Sequence, residues 1–183
     1  MKFRTWMVTG ALLVGSAGVW AQGGAPLQSI ASLDVPRYLG RWYEVAKFPN
    51  RFQKKCLSDT SATYSLLPGG SLRVLNQCRL ANGEMDQAVG EARQIGEAIS
   101  PRLQVRFAPA WLSIFPFAWG DYWVVDLDDA YELVAVSEPK REYLWILSRT
   151  PQVDASRYAA LVDRLKAMGL DVNKLEKTAH QAP

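Results

Sequence analysis

The side chains that most often carry out catalysis are scarce in this sequence. Histidine occurs once, as His180 near the C-terminus, in what we expect to be a loose tail and a poor place for a general base. Catalysis by a serine or cysteine nucleophile usually needs a histidine beside it. The sequence also lacks a G-x-S-x-G turn, a phosphate-binding P-loop and the ligand spacing of a zinc site. We therefore expect a protein that is not an enzyme and holds no cofactor; an enzyme is the alternative.

An acidic cluster is the second group that could do chemistry. Asp126, Asp128 and Asp129 lie close together in the chain. Their oxygens suit calcium, but an EF-hand loop also needs a glycine and a bidentate glutamate at fixed positions. These are missing, so we interpret the cluster as an acidic turn and expect no metal.

The first 21 residues have the three parts of a secretory signal peptide. Lys2 and Arg4 precede a mostly apolar run over residues 6–17, and small or compact side chains lead up to Ala21. A membrane span needs about 20 apolar residues. Because the run is shorter and interrupted, we expect cleavage after Ala21 rather than a transmembrane anchor. No cysteine for lipid attachment stands at that point, so the sequence predicts an exported, periplasmic protein that is without a lipid anchor, whether or not it associates with the outer membrane.

Export also bears on the cysteines and on the charge. An oxidising compartment favours a disulfide between Cys56 and Cys78. Two unlinked thiols, or a thiol that pairs with another chain, are the alternatives.

The charge of the mature chain is nearly balanced. Without Lys2 and Arg4, the chain has 19 basic and 18 acidic residues, and no long basic run exists. Nucleic-acid binding needs a basic face, so we expect no nucleic-acid partner.

The remaining residues, 22–183, read as a single all-β domain. Short alternating segments separated by turn residues such as Pro68-Gly69-Gly70 predict eight antiparallel strands. Asp154 and Gly169 bound one helix with an apolar face, which should pack outside the sheet. This rhythm favours a sandwich or an up-and-down barrel. The predicted strands cover residues 42–48, 62–67, 71–78, 86–93, 103–107, 122–126, 131–137 and 143–148.

Three segments, in the right order, resemble the motifs of lipocalins, and specifically the branch of bacterial outer-membrane lipocalins and apolipoprotein D. Gly40-Arg41-Trp42 is similar to the G-x-W motif of the first strand. Asp128 stands in the second motif, although the Thr and Tyr of many lipocalins are absent beside it. The segment Tyr143–Pro151 resembles the eighth strand, whose Arg149 is the third motif. The resemblance covers roughly residues 33–177 and implies an eight-stranded antiparallel up-and-down lipocalin barrel with one C-terminal α-helix packed outside.

The lipocalin motifs imply a closed floor. Trp42 starts the first strand and Arg149 ends the eighth, so both should lie at the same end of the barrel, with Gly40 and Asp128. A guanidinium over an indole face contributes roughly 0.5–2 kcal/mol. We expect these residues to be structural and not to touch a ligand.

The wall above the floor is the expected binding site. An eight-stranded barrel can hold one small ligand. Alternation predicts that Tyr143, Trp145 and Leu147 face inwards with Arg149, and that Glu44 does so with Trp42 and then needs a partner. The resemblance implies that Tyr64 and Trp145 line the pocket; a packed core is the alternative. It also implies binding, storage or transport of a fatty acid or lysophospholipid in the bacterial cell envelope.

One unusually aromatic loop lies between the fifth and sixth strands, at the end opposite Trp42. Its exposed side chains would mark an interaction site. The sequence leaves four uses open: guiding a lipid inwards, contacting a membrane surface, forming a homodimer, or folding over the mouth as a lid. A membrane- or partner-binding envelope protein that uses this loop without a ligand is the alternative function. The loop covers residues 108–119 and contains Trp111, Leu112, Phe115 and Phe117.

Overall fold

The computed structural model describes residues 25–109 and 115–181. The predicted signal peptide and the loop residues Trp111 and Leu112 lie outside this part of the chain. Within the described residues are two α-helices and nine strands: α1 (Val35–Tyr38), β1 (Gly40–Lys47), β2 (Ser58–Leu66), β3 (Leu72–Arg79), β4 (Met85–Gln94), β5 (Arg102–Arg106), β6 (Gly120–Leu127), β7 (Leu133–Ser137), β8 (Leu144–Ser148), α2 (Ala155–Ala167) and β9 (Glu176–Lys177).

The first eight strands close into an antiparallel up-and-down barrel, as predicted. Each strand pairs with the next along the chain, and β8 returns to pair with β1. Bulges shift the register of β1 between Glu44 and Ala46 and that of β6 between Val124 and Asp126. The extra residue at a bulge shifts the inward–outward alternation by one position, so the side chains beyond it point to the opposite face. Thus Trp42 faces the interior, whereas Ala46 packs with the outer helix.

Helix α2 packs on the outside of the barrel, also as predicted. The Asp154 carboxylate caps it by accepting hydrogen bonds from two backbone N–H groups of the first turn. Leu161 and Leu165 are fully buried against the sheet. Arg164 donates to both oxygens of Asp126 at 2.7 and 2.9 Å. The described residues contain no cluster of potential metal ligands, and no described helix is long and apolar enough to cross a membrane.

The disulfide between Cys56 and Cys78 is present and joins the β1–β2 loop to β3, with 5.5 Å between the Cα atoms. The loop is thereby held over one side of the barrel mouth.

The C-terminal segment, residues 176–181, is part of the wall, so the expectation of a loose tail around His180 was wrong. β1 pairs with β2 only from Gly40 to Tyr43. Where the two strands separate, β9 pairs with β1 and Ala179 bridges to Ser58. The His180 side chain is only 7% exposed, and its Nε2 lies 2.7 Å from the Glu44 carbonyl oxygen.

Candidate functional site

The floor of the barrel is closed by the predicted pair. The Arg149 guanidinium lies 3.8 Å from the centre of the Trp42 ring, and Trp42 is fully buried. Arg149 also donates to the backbone carbonyls of Arg37, Arg41 and Tyr131 at 2.7, 3.0 and 3.2 Å. These contacts tie the entry to β1, the β6–β7 turn and the end of β8 into one plug.

Gly40 and Asp128 support this plug in different ways. Gly40 has a φ of +95°, and a Cβ there would lie 3.4 Å from the Arg149 guanidinium. Asp128 shapes the β6–β7 turn, because one oxygen accepts from the N–H groups of Glu132 and Leu133 at 2.7 and 3.1 Å. Its other oxygen accepts from Arg157 of α2 at 2.6 Å. The second motif thus joins the floor to the helix.

Three tyrosines form a layer across the interior, and sequence reasoning identified only Tyr64 among them. Tyr64 lies on β2 and Tyr122 on β6, four strands away around the barrel, yet their hydroxyl oxygens are 2.9 Å apart. The Tyr38 hydroxyl, from α1, lies 2.7 Å from that of Tyr122. Tyr38 also packs against Trp42, with ring centres 5.0 Å apart and the ring planes tilted by 35°. We call Tyr38, Tyr64 and Tyr122 the tyrosine layer.

The hydroxyls of the tyrosine layer remain protonated over the physiological pH range. Burial raises the pKa of Tyr64 to about 12, although its hydrogen bond with Tyr122 opposes the rise. Burial is also the largest cause of the rise of the pKa of Tyr38 and Tyr122 well above 10.0. The alternation of side chains along β6 could have identified Tyr122 as an inward-facing residue. Tyr38 was not, because it comes from a single helical turn that folds under the barrel.

The interior above the tyrosine layer, which we call the lumen, is lined on one side by small residues. The register from β2 through β3 to β4 puts Ala88 and Gly90 on the same inward face as Ala62 and Tyr64. Ala88 is solvent-exposed although it faces inwards. At Gly90 the Phe107 ring takes the place of a side chain, because a Cβ there would lie 2.7 Å from it. Nearer the mouth, Ala88 is small and leaves the inward face of β4 accessible to solvent.

The other side of the lumen is aromatic. Trp145 stacks on Tyr143 with ring centres 5.7 Å apart, and Tyr143 contacts Phe52 of the β1–β2 loop at 5.6 Å. Leu147 is buried one step below Trp145 and pairs in register with Glu44. The structure therefore gathers Tyr143, Trp145, Leu147 and Glu44 on one wall, while Tyr64 lies across the lumen in the tyrosine layer.

Glu44 has the partners that its inward position requires. Glu44 is only 2% exposed. Its carboxylate accepts hydrogen bonds from the Gln53 amide and, at 2.6 Å, from the Thr178 hydroxyl. Gln53 in turn accepts from the Trp145 indole N–H at 2.9 Å. Burial raises the pKa of the Glu44 carboxyl, whereas these hydrogen bonds and the charges of Lys47 and His180 oppose the rise.

Part of the aromatic loop is described, at the mouth. Phe115 and Phe117 stack with ring centres 5.3 Å apart, and Phe117 is 78% exposed. The β1–β2 loop, on the opposite side of the mouth, carries three exposed basic side chains, Arg51, Lys54 and Lys55, of which Lys55 is paired with Asp86. The mouth therefore combines exposed aromatic rings with positive charge.

Known proteins resemble this chain over nearly the whole barrel. A family model described as a lipocalin-like domain matches residues 33–180. Temperature-induced lipocalin-1 of Arabidopsis thaliana is 42% identical over 83% of this chain and 82% of its own. Outer membrane lipoprotein Blc of Escherichia coli K12 is 37% identical over 79% of this chain and 78% of its own. Apolipoprotein D of Mus musculus is 34% identical over 80% of this chain and 77% of its own.

A solved structure shows the same fold. Insecticyanin from the tobacco hornworm Manduca sexta superposes with a TM-score of 0.65 at 17% identity, covering 85% of each chain. The family's proteins are binding and transport proteins rather than enzymes. With its motifs, its barrel and these relatives, the chain belongs to the lipocalin family, which binds small hydrophobic ligands.

Proposed function

We propose that this protein binds a single-chain lipid of the fatty acid or lysophospholipid class inside its barrel, and stores or transports it. The observation that carries the proposal is the lumen itself. It lies between a floor closed by Trp42 and Arg149 and a mouth where inward-facing Ala88 is exposed to solvent. An apolar wall that encloses a ligand stabilises it by about 25 cal/mol for each Å² of apolar surface removed from water.

Four residues contact the ligand in this proposal. Trp145, Tyr143 and Leu147 form the apolar wall, and Tyr64 contributes to the base. Glu44 acts indirectly. It accepts a hydrogen bond from the Gln53 amide, and the oxygen of that amide accepts from the Trp145 indole N–H. Glu44 thereby helps to hold the Trp145 ring in its position beside the lumen.

The proposed setting is the cell envelope. Residues 1–21 have the pattern of a signal peptide, and the Cys56–Cys78 disulfide suits an oxidising compartment. The bacterial relatives named Blc are outer membrane lipoproteins. In this proposal residues 22–183 are the mature lipocalin domain, located in the periplasm without a lipid-anchor cysteine at the cleavage point.

The test has two arms. First, the mature protein is purified from its native host and extracted with organic solvent, and the extract is analysed by mass spectrometry; we expect a single-chain lipid. Second, a fluorescent fatty acid is titrated into Trp145→Ala, which should bind about tenfold more weakly because a large apolar contact is lost. Trp123→Ala, which removes an indole on the outer face beside Arg102, is the matched control. An empty extract together with unchanged affinity of Trp145→Ala would refute the proposal.

The mouth supports a second candidate function, contact with a membrane surface or another protein. The supporting observation is the exposed stack of Phe115 and Phe117 at the same end of the barrel as the basic β1–β2 loop. Exposed apolar patches often mark interaction sites. A homodimer is the competing use of the same surface.

A further inference from the structure

The hydroxyl groups of the tyrosine layer contain one hydrogen more than they use among themselves. Three phenols carry three hydroxyl hydrogens. They make only two oxygen–oxygen contacts, Tyr38 to Tyr122 at 2.7 Å and Tyr64 to Tyr122 at 2.9 Å, and each contact takes one hydrogen. No further acceptor among the described residues reaches these three oxygens. One O–H group is therefore left as an unused donor, whichever way the two hydrogen bonds run.

In two of the three possible arrangements of the hydrogen bonds the spare hydrogen belongs to Tyr64 or Tyr122, which lie at the bottom of the lumen; in the third it belongs to Tyr38 on the floor side. Tyr64 and Tyr122 project from opposite sides of the barrel and meet near its axis. On the floor side Tyr38 contacts Trp42, and Arg149 covers Trp42 in turn. On the other side are the small inward residue Ala88 and the Phe107 ring, which packs over Gly90. A chain that enters from the mouth thus ends against the tyrosine layer.

The bottom of the lumen favours a ligand whose end group is neutral. A buried hydroxyl hydrogen without an acceptor is costly, so an oxygen atom at the end of a ligand is favoured there. An ionised carboxylate is a poor fit, because a buried charge needs a countercharge. The nearest cation of the floor, Arg149, already donates to three backbone carbonyls.

We propose that the tyrosine layer is a donor site for a neutral ligand oxygen, so that a single-chain lipid enters the barrel with its polar end first. A hydroxyl, a ketone or an un-ionised carboxyl group satisfies it. This inference rests on the proposed function, since it assumes that the lumen holds a lipid, and it favours neutral single-chain lipids and un-ionised fatty acids. A lysophospholipid, whose charged head group stays outside, would leave the spare hydrogen facing a methyl group.

The first experiment compares decan-1-ol with 1-fluorodecane, which has the same length and accepts hydrogen bonds only very weakly. Affinities are measured for the wild type and for the triple variant Tyr38→Phe/Tyr64→Phe/Tyr122→Phe. The ratio of the two affinities should shift against the alcohol by about three- to tenfold in the triple variant, the range of one neutral hydrogen bond. Tyr158→Phe, which removes a hydroxyl from outer helix α2, should leave the ratio unchanged.

The number of hydroxyl hydrogens left predicts the opposite result for the single variant Tyr122→Phe, which should not lose its preference for the alcohol. It removes the central oxygen and leaves the hydroxyls of Tyr38 and Tyr64 without their partner, so at least the Tyr64 hydroxyl is a free donor for the ligand. The preference for decan-1-ol should therefore be kept or increased. An unchanged ratio in the triple variant, or a ratio in Tyr122→Phe as low as that of the triple variant, would overturn the inference.

Two measurements on the wild type are independent of the variants' folding. The carbonyl stretch of bound decan-2-one should lie at the lower frequency of a hydrogen-bonded ketone; the frequency found in hydrocarbon solvent would overturn the proposal. Decanoic acid should bind more weakly as the pH rises from 4 to 8, whereas decan-1-ol should not. An affinity for decanoate that rises with pH would instead place its carboxylate at the basic mouth. If neither ten-carbon compound binds the wild type, the proposed function fails and this inference with it.

Discussion

At the scale of single residues, the interior is organised by how each buried polar atom is satisfied. Arg149 donates to three carbonyls, and Glu44 accepts from two donors outside its own strand. The three tyrosine oxygens bond to one another and leave one hydrogen without an acceptor. A buried polar group that loses its partner costs more than the partner's contact contributed, because it lost its water on folding. The consequences of substitution therefore depend on what is left behind.

The tyrosine layer gives the clearest case. Tyr122→Phe leaves the hydroxyls of Tyr38 and Tyr64 buried without their partner, and we expect the free energy of unfolding to fall by about 1–3 kcal/mol. The triple phenylalanine variant removes all three hydroxyls and should be more stable than Tyr122→Phe. Urea unfolding followed by circular dichroism measures both. A triple variant less stable than Tyr122→Phe would show that the hydroxyls do not depend on one another.

Glu44 makes stability depend on pH. Because burial raises its pKa, the folded protein retains a proton that the unfolded chain releases as the pH passes the ordinary value of 4.5. The free energy of unfolding should therefore decrease as the pH rises from that value through the raised pKa. Glu44→Gln, which can still accept from Gln53 and donate to Thr178, should flatten this slope.

The measurement is the midpoint of urea unfolding at several pH values between 4 and 8. Glu97→Gln, on the exposed β4–β5 loop, is the control and should keep the wild-type slope. A wild-type slope retained in Glu44→Gln would assign the pH dependence to another group.

At the scale of elements, strand alternation and capping residues predict most of the barrel. The predicted strands match β1 to β8 to within a few residues, and Asp154 starts α2 as expected. The pairing of the C-terminal segment with β1 was not predictable in this way, since a two-residue strand is too short for alternation to show which strand it joins. The same limit applies to the partners of Glu44: alternation turns it inwards, but Gln53 and Thr178 reach it only through the closed fold.

The disulfide is the element-scale feature most open to a direct test. It connects cysteines 22 residues apart, and a loop of that length is expected to contribute about 3 kcal/mol in the chain-entropy model. Cys56→Ala/Cys78→Ala should lower the free energy of unfolding by about this amount. Wild type unfolded in the presence of a reductant serves as the matched comparison. Equal stability with and without the bond would contradict this role.

At the scale of the whole molecule, the two ends of the barrel differ. The mouth carries exposed Phe115 and Phe117 and the basic side chains Arg51, Lys54 and Lys55, whereas at the floor the acidic side chains Asp128 and Glu132 are paired with Arg157. The sequence could identify the aromatic loop but not its neighbours at the mouth, because these come together only when the barrel closes.

This polarity predicts mouth-first contact with anionic membranes. Phe115→Ser/Phe117→Ser should bind vesicles that contain anionic lipid about tenfold more weakly, because two exposed rings no longer insert. Leu66→Ser removes an exposed apolar side chain at the floor end and should bind as the wild type does. Cosedimentation with vesicles measures the first effect, and analytical ultracentrifugation measures the oligomeric state. Unchanged vesicle binding with loss of a dimer would assign the surface to a homodimer.

The position of a ligand inside the barrel is the central claim, and one crystallographic measurement tests it most directly. The mature protein is crystallised with a fatty acid that carries bromine at its methyl end, and the anomalous signal locates the bromine. We predict one site in the lumen, near Trp145 and on the mouth side of the tyrosine layer, with the carboxyl end towards Tyr122. Bromine found only on the outer surface at saturating ligand, with the lumen filled by water alone, would contradict the account.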